Sequence, residues 1–268
     1  MREYLYLLAT DKKKGSVAGI FKCLLFILSL IYGMSVRILS FIYGIKPYRL
    51  NCKVISIGNI TLGGTGKTSL VELLALKLKE RGCNTAVLSR GYKRKSIHYP
   101  LSAVRYETMG DEPFMLSKNL CDIPVIVDKD RIRAAKKAIR DYGTDAVILD
   151  DGFQQWRISK DLEIVTIDAT NPFGNLRLLP RGILREPLSS LKRADIFVLA
   201  KVNLRPANQG IEEILKKVNP GALIVEAIHS PLGFYRIGDS RDNLLGPGEF
   251  KGKKASLVCG IADPRSFE

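Results

Sequence analysis

Between Val54 and Ser69 the chain reads VISIGNITLGGTGKTS: a short apolar strand, a glycine-rich turn, and Gly66-Lys67-Thr68 opening a helical pattern. Glycines at 63, 64 and 66 let the backbone fold tightly enough for successive N–H groups to converge on phosphate oxygens. The helix N-terminus behind them adds its positive dipole end. In such a loop Lys67 reaches the β- and γ-phosphates and Thr68 offers its hydroxyl to Mg²⁺. The expected nucleotide-binding segment is therefore Thr61, Leu62, Gly63, Gly64, Thr65, Gly66, Lys67 and Thr68. The strict pattern G-x-x-x-x-G-K-[ST] is broken, because Thr61 stands where its first glycine belongs.

Around this loop, short apolar runs alternate with helical periodicity. The runs fall at 54–57, 86–88, 125–127, 146–149, 164–167, 196–199, 223–225 and 256–258, the spacing of parallel βαβ units. Helices are expected over 69–81, where Val71, Leu74 and Leu78 form one stripe, and over 130–142. The expected fold is thus α/β: a P-loop NTPase-like, mostly parallel sheet with flanking helices. Pro and Gly become frequent between about 203 and 252, and 234–254 reads as turns and short strands. This divides the chain into a basic, apolar helical segment at 1–50, a P-loop core at 51–230, and linker strands with the beginning of a smaller second α/β domain at 231–268.

The 42 Lys and Arg residues outnumber the 27 Asp and Glu, a formal charge of +15. The partner should then be anionic: a nucleic acid, a phosphate-rich substrate or an acidic membrane face. Cysteines 23, 52, 83, 121 and 259 form no C-x-x-C pair and read as reduced core residues. Residues 17–45 are apolar and aromatic, interrupted only by Lys22 and Arg37 and flanked by Lys12, Lys13, Lys14, Lys46 and Arg49. The uncharged stretch 23–36 covers only about 21 Å against a hydrocarbon core of roughly 30 Å. It is expected to lie as a helix or helix pair in an anionic cytoplasmic membrane face, with a true span or a buried core helix as alternatives. A signal peptide fits poorly, since no small-residue cleavage site is evident.

Chemistry concentrates at strand ends. AVILDDGFQQ at 146–155 brings two carboxylates to the carboxyl edge of a parallel sheet, where ligands bind. Asp150 is the expected Mg²⁺ partner and Asp151 a neighbouring group, a helix-capping pair being the alternative. Gln154 is either a phosphate or water contact or a surface glutamine. Asp111, in GDEP at 110–113, reads locally as a helix start. Tyr92 follows the second strand in a βα-loop, and Arg131 begins a helix beyond the third. Arg185, in RGILREP at 181–187, is the candidate for stabilising charge on the transferring phosphoryl group, against a plain salt bridge to Glu186 or Asp195. AKVN at 200–203 is similar to a nucleobase-reading loop, or is an ordinary strand-end turn. His98 and His229 lack ligand spacing.

Taken in order, Gly58-Asn59, TLGGTGKT, SRGY at 89–92, GDEP, DDGFQ at 150–154, LLPRGILREP at 178–187 and the late GIADP resemble the tetraacyldisaccharide 4′-kinases, the lipid A kinases. The similarity runs from about residue 15 to the end. It implies a P-loop core joined to a smaller α/β domain, and transfer of the ATP γ-phosphate to the 4′-hydroxyl of a tetraacylated disaccharide 1-phosphate with Mg²⁺. The implied setting is the cytoplasmic face of a Gram-negative inner membrane; the partners are the lipid A disaccharide precursor and the anionic inner-membrane surface. The resemblance makes Asp111 the acceptor of the sugar hydroxyl's proton, reversing the local reading. Asp150, Asp151 and Thr68 then handle metal, with Lys67 and Arg185 catalytic, and Tyr92, Arg131, Glu186 and Gln154 on the substrate or phosphates.

Family chains continue past GIADP through a histidine-containing segment that nothing here matches, so weakened activity is expected. A partition-type membrane switch ATPase is the competing class, but it usually carries a lysine early in the loop, where Thr61 stands. Nucleic-acid binding is not expected, for want of aromatic interleaving or a recognisable module.

Overall fold

The computed structural model describes residues 8, 11, 15–91, 110–204, 210–228, 230, 233–234, 244–252, 254 and 256. Seven strands form a single all-parallel sheet: β1 (Lys53–Gly58), β2 (Thr85–Ser89), β3 (Val125–Val127), β4 (Ala146–Asp150), β5 (Leu162–Asp168), β6 (Ile196–Ala200) and β7 (Leu223–Ala227). Their order is β3-β2-β4-β1-β5-β6-β7, which seats β1, the strand feeding the glycine-rich loop, between β4 and β5. These strands coincide with seven of the eight expected runs. The eighth, 256–258, falls largely outside the described residues, as does GIADP.

Period-2 alternation splits the strand residues between two faces. Ile57, Val87, Ile148 and Ile164 pack against α2 (Lys67–Glu80) and α3 (Asp111–Asn119). On the other face Ala86, Leu88, Val147 and Leu149 meet Ala134, Ala135 and Ala138 of α4 (Arg131–Tyr142). Val165, Ile167, Phe197 and Leu199 meet Ile211 and Leu215 of α5 (Ile211–Val218). Coverage on both faces explains why the runs read as continuous apolar stretches. The start of α4 is set by Asp130, whose carboxylate accepts from the Ile132 and Arg133 N–H groups, and its end by Gly143 at φ 59°.

Residues 16–45 are a single helix, α1 (Ser16–Ile45), of 30 residues and about 45 Å. A stripe through Ala18, Leu25, Ser29 and Val36 is buried at helical spacing. It rests on the segment around 175–185: a Cβ on Gly33 would lie 2.6 Å from Leu178 Cδ1, Arg177 stacks over the Phe26 ring at 5.2 Å, and the Tyr32 hydroxyl donates to the Arg185 carbonyl at 2.9 Å. Near its start Asp11 bridges Lys22 and Arg181 at 2.6 and 2.8 Å. The other sides expose Ile20, Leu24, Ile27, Ile31, Met34, Phe41 and Ile45. By length and composition α1 is apolar enough to cross a membrane, and only 22% of its apolar window is buried. Among the described residues α1 is therefore not packed as a core helix would be.

Candidate phosphoryl-transfer site

The glycine-rich loop leaves β1 with its first half zipped to a neighbouring segment. Thr61 forms an antiparallel bridge with Leu184, the Leu62 N–H donates to the Ile183 carbonyl at 2.8 Å, and the Arg185 N–H to the Ile60 carbonyl at 2.7 Å. The missing first glycine is thereby explained: position 61 is extended and bridged, which suits a β-branched residue. The left-handed turns fall later, at Gly63 (φ 127°) and Gly66 (φ 79°), and α2 begins at Lys67, two residues before the expected start.

Buried polar contacts brace the loop from beneath. Asn59 Nδ2 donates to the Thr61 carbonyl at 2.9 Å. Thr166 Oγ1 donates to the Gly58 carbonyl at 3.1 Å, so its 2.7 Å contact with Thr65 Oγ1 is a bond donated by Thr65. Lys201, at φ 61° just after β6, reaches the Gly64 carbonyl at 3.2 Å while paired with Asp168 at 2.6 Å. AKVN therefore lies against the phosphate loop.

Two carboxylates with different environments follow β4. Asp150 is buried, accepts from the Ser89 hydroxyl at 3.0 Å, and is pushed above its ordinary value by that burial. Asp151 adopts the left-handed conformation (φ 55°), a costly one for a non-glycine residue. The chain turns there because Gly152 sits where any Cβ would meet Ser56 Oγ at 2.4 Å, and its N–H is tied to the Ile57 carbonyl at 3.0 Å. The turn aims Asp151 at Arg185 Nη1 (2.8 Å) and Lys67 Nζ (3.6 Å). Burial opposes its charge, but these two cations outweigh it and hold the carboxyl below its ordinary value. Lys67 is itself pushed down by burial, with Asp151 opposing.

Arg185 therefore pairs with Asp151 rather than with Glu186 or Asp195, and also donates to Gln154 Oε1 at 3.3 Å. The expectation that Glu186 meets substrate is corrected. Its side chain has no solvent exposure, and its oxygens accept from Arg193 (3.0 and 3.1 Å), Gln154 (3.2 Å) and Trp156 (3.3 Å). Arg193 in turn stacks over Phe153 at 4.3 Å. Arg131 is corrected likewise: it is 2% exposed and donates to the Asp128 and Asp150 carbonyls at 2.6 and 3.2 Å. Burial lowers its guanidinium to about 10. Arg131 thus holds the end of β4, and Glu186 ties the loop that follows it to Arg193.

Asp111 is exposed in the first turn of α3, where a carboxylate suits the helix dipole. Its neighbour Glu112, like Asp151, carries a charge that reaches both Lys67 and Asp150; the GDEP motif contained it, but sequence reasoning left it without a role. Ser89, Thr166 and Lys201 were likewise missed as loop and carboxylate supports. Tyr92, His98 and His229 lie outside the described residues.

Residues 21–268 match the family described as tetraacyldisaccharide-1-P 4′-kinase. Tetraacyldisaccharide 4′-kinases of Halothermothrix orenii and Elusimicrobium minutum are each 39% identical, over 92% and 96% of this chain and 70% and 71% of their own. The chain belongs to the tetraacyldisaccharide-1-phosphate 4′-kinase family. The structure of LpxK from Aquifex aeolicus in complex with ATP superimposes with a TM-score of 0.66 at 32% identity, covering 77% of this chain and 64% of that one. Family membership makes this a lipid A kinase working from ATP, and the partition-type switch is set aside.

Proposed function

We propose that the chain binds ATP on the 61–68 loop and passes its γ-phosphoryl group to the 4′-hydroxyl of a tetraacyldisaccharide 1-phosphate, with the site at the carboxyl edge of β1 and β4. The observation that carries this assignment is the convergence of Lys67, Arg185 and Asp151 beside a left-handed phosphate loop. Phosphoryl transfer needs alignment and charge neutralisation more than covalent chemistry. Lys67 and Arg185 supply two cations to the phosphates, and incoming phosphate oxygens replace the Asp151 carboxylate as their partner. Asp111 accepts the proton of the sugar hydroxyl late in the transfer. Gln154 and Tyr92 complete the substrate side.

Thr68, Asp150 and Asp151 offer a hydroxyl and two carboxylates, hard oxygen donors of the kind Mg²⁺ takes alongside water and phosphate oxygens. When bound, the ion neutralises phosphate charge.

Alpha-1 beds its exposed apolar sides in the anionic cytoplasmic face of a Gram-negative inner membrane, which presents the amphiphilic lipid A precursor to the site; duplex nucleic acid is not a partner. The test is radiolabelled phosphate transfer from ATP to the disaccharide 1-phosphate by wild type, Lys67→Ala and Asp111→Asn. Transfer by wild type that both variants lose, with thermal midpoints unchanged, supports the roles. An Asp111→Asn enzyme as fast as wild type removes Asp111 from proton transfer.

A further inference from the structure

The C-terminal end of α1 opens into a cleft of about 780 Å³ lined by Ile42, Tyr43, Lys46, Tyr48, Arg49 and Arg157, among others. Extended backbone holds its floor: the Tyr48 N–H donates to the Arg157 carbonyl at 2.8 Å, and the Ser159 N–H to the Tyr48 carbonyl at 2.9 Å. Its aromatic and cationic groups interleave. Arg157 stands 6.0 Å from the Tyr43 ring centre, and Lys136, reaching over from α4, stands 4.9 Å from that of Tyr48. Lys46, Lys136 and Arg157 are exposed, and among the described residues no carboxylate forms an ion pair with any of them. Asp161, which feels Arg49, is itself bonded to Lys53 at 2.9 Å, and Asp130, beside Lys136 in the adjoining groove, caps α4 by accepting from the Ile132 and Arg133 N–H groups. Structural cations on this surface, Lys137 and Arg140, are by contrast both spent on Asp141.

We propose that this cleft is a binding site for the headgroup of an anionic phospholipid. One observation favours a lipid over a free anion. The cleft is continuous with the exposed Ile38, Phe41, Ile42 and Ile45 of α1, so an acyl chain would leave it along an apolar surface while the phosphate meets Lys46, Lys136 and Arg157. The site also lies about 16 Å along α1 from Tyr32, well away from the phosphate loop, so headgroup and nucleotide do not compete. A basic cluster beside a membrane-bedded helix gains from the negative surface potential of anionic lipid, on the order of fivefold in affinity per cation. The inference rests on the proposal that α1 lies in a membrane.

The experiment is flotation of the full chain with phosphatidylcholine vesicles, with or without phosphatidylglycerol. Wild type should bind the phosphatidylglycerol vesicles more tightly. A Lys46→Gln/Lys136→Gln/Arg157→Gln triple variant should lose roughly a hundredfold on them and nothing on pure phosphatidylcholine. A Lys77→Gln/Lys79→Gln/Lys216→Gln control, with equal charge removed elsewhere, should keep wild-type affinity. If the control falls as far as the triple variant, net charge alone is responsible and the site is refuted. Suppression of the wild-type preference by excess inorganic phosphate at matched ionic strength assigns the cleft to a free anion and likewise refutes it. Equal wild-type binding to both vesicles sinks the headgroup site while leaving the membrane-bedded helix standing; no binding to either removes both.

Discussion

Replacing Glu186 by Gln separates a supporting residue from one that touches substrate. The carboxylate is fully buried and accepts four bonds, two of them from Arg193. An amide keeps one acceptor oxygen but turns an NH₂ group toward donors of Arg193, Gln154 or Trp156, and it removes the negative charge. Breaking a buried ion pair from one side costs about 3–5 kcal/mol. Here Arg193 is 36% exposed, so water recovers part of its solvation and the cost falls to about 2–3 kcal/mol. For a chain of this size each kcal/mol moves the thermal midpoint by about 2–4 °C, so a fall of about 4–12 °C is expected. Because Gln154 and Arg185 lean on the same network, turnover should fall less than tenfold below the melting range, with KM for the lipid little changed. Differential scanning fluorimetry and initial-rate kinetics on one preparation read both quantities. An unchanged midpoint together with a large rise in KM would falsify the supporting role and return Glu186 to the substrate surface.

Arg185→Lys should lower kcat by about 10–100-fold with little loss of stability, since a point charge replaces a guanidinium shared between Asp151 and Gln154; an enzyme with unchanged kcat contradicts the phosphate role. Gly58→Ala should destabilise by about 2–3 kcal/mol or prevent folding, because the new Cβ would lie 2.5 Å from the Phe153 backbone nitrogen; denaturant titration measures it. The Arg181 guanidinium holds the Asp11 carboxyl well below its ordinary 3.8. Asp11→Asn should therefore lower the midpoint slightly above pH 3.8, and the gap from wild type should close as pH falls through the depressed folded value, because a carboxyl with a lowered folded pKa loses its contribution on acidification. A gap that widens in acid contradicts this reading.

The sheet was legible because buried parallel strands announce themselves as apolar runs, and Gly66-Lys67-Thr68 marks which strand end carries the loop. What was illegible was direction. Arg185 and Glu186 are adjacent, and on extended chain neighbouring side chains point opposite ways; the sequence shows two charged residues and no sign of which faces inward. Leu184, bridged to Thr61, fixes the phase, and that pairing is invisible in one dimension. Arg131 misled for a related reason: arginine at a helix start usually meets water, but here it fills the space behind the β4 terminus. Glu112 was overlooked because Asp111, beside it, had already been given the motif's chemistry.

Tyr32 bonds the Arg185 carbonyl, and the Arg185 N–H bonds the Ile60 carbonyl at the mouth of the phosphate loop. Two hydrogen bonds thus tie the long apolar helix, through Arg185, proposed above to meet the phosphates, to the phosphate loop. With the helix bedded in lipid as proposed, the standoff between bilayer and γ-phosphate becomes a built-in length of the molecule. The enzyme then acts as a depth gauge: an acceptor reacts when its sugar hydroxyl is carried at that height, whatever its chains do below. Shortening or lengthening those chains should alter how long the lipid stays, and leave the position of the reacting hydroxyl where Tyr32 sets it.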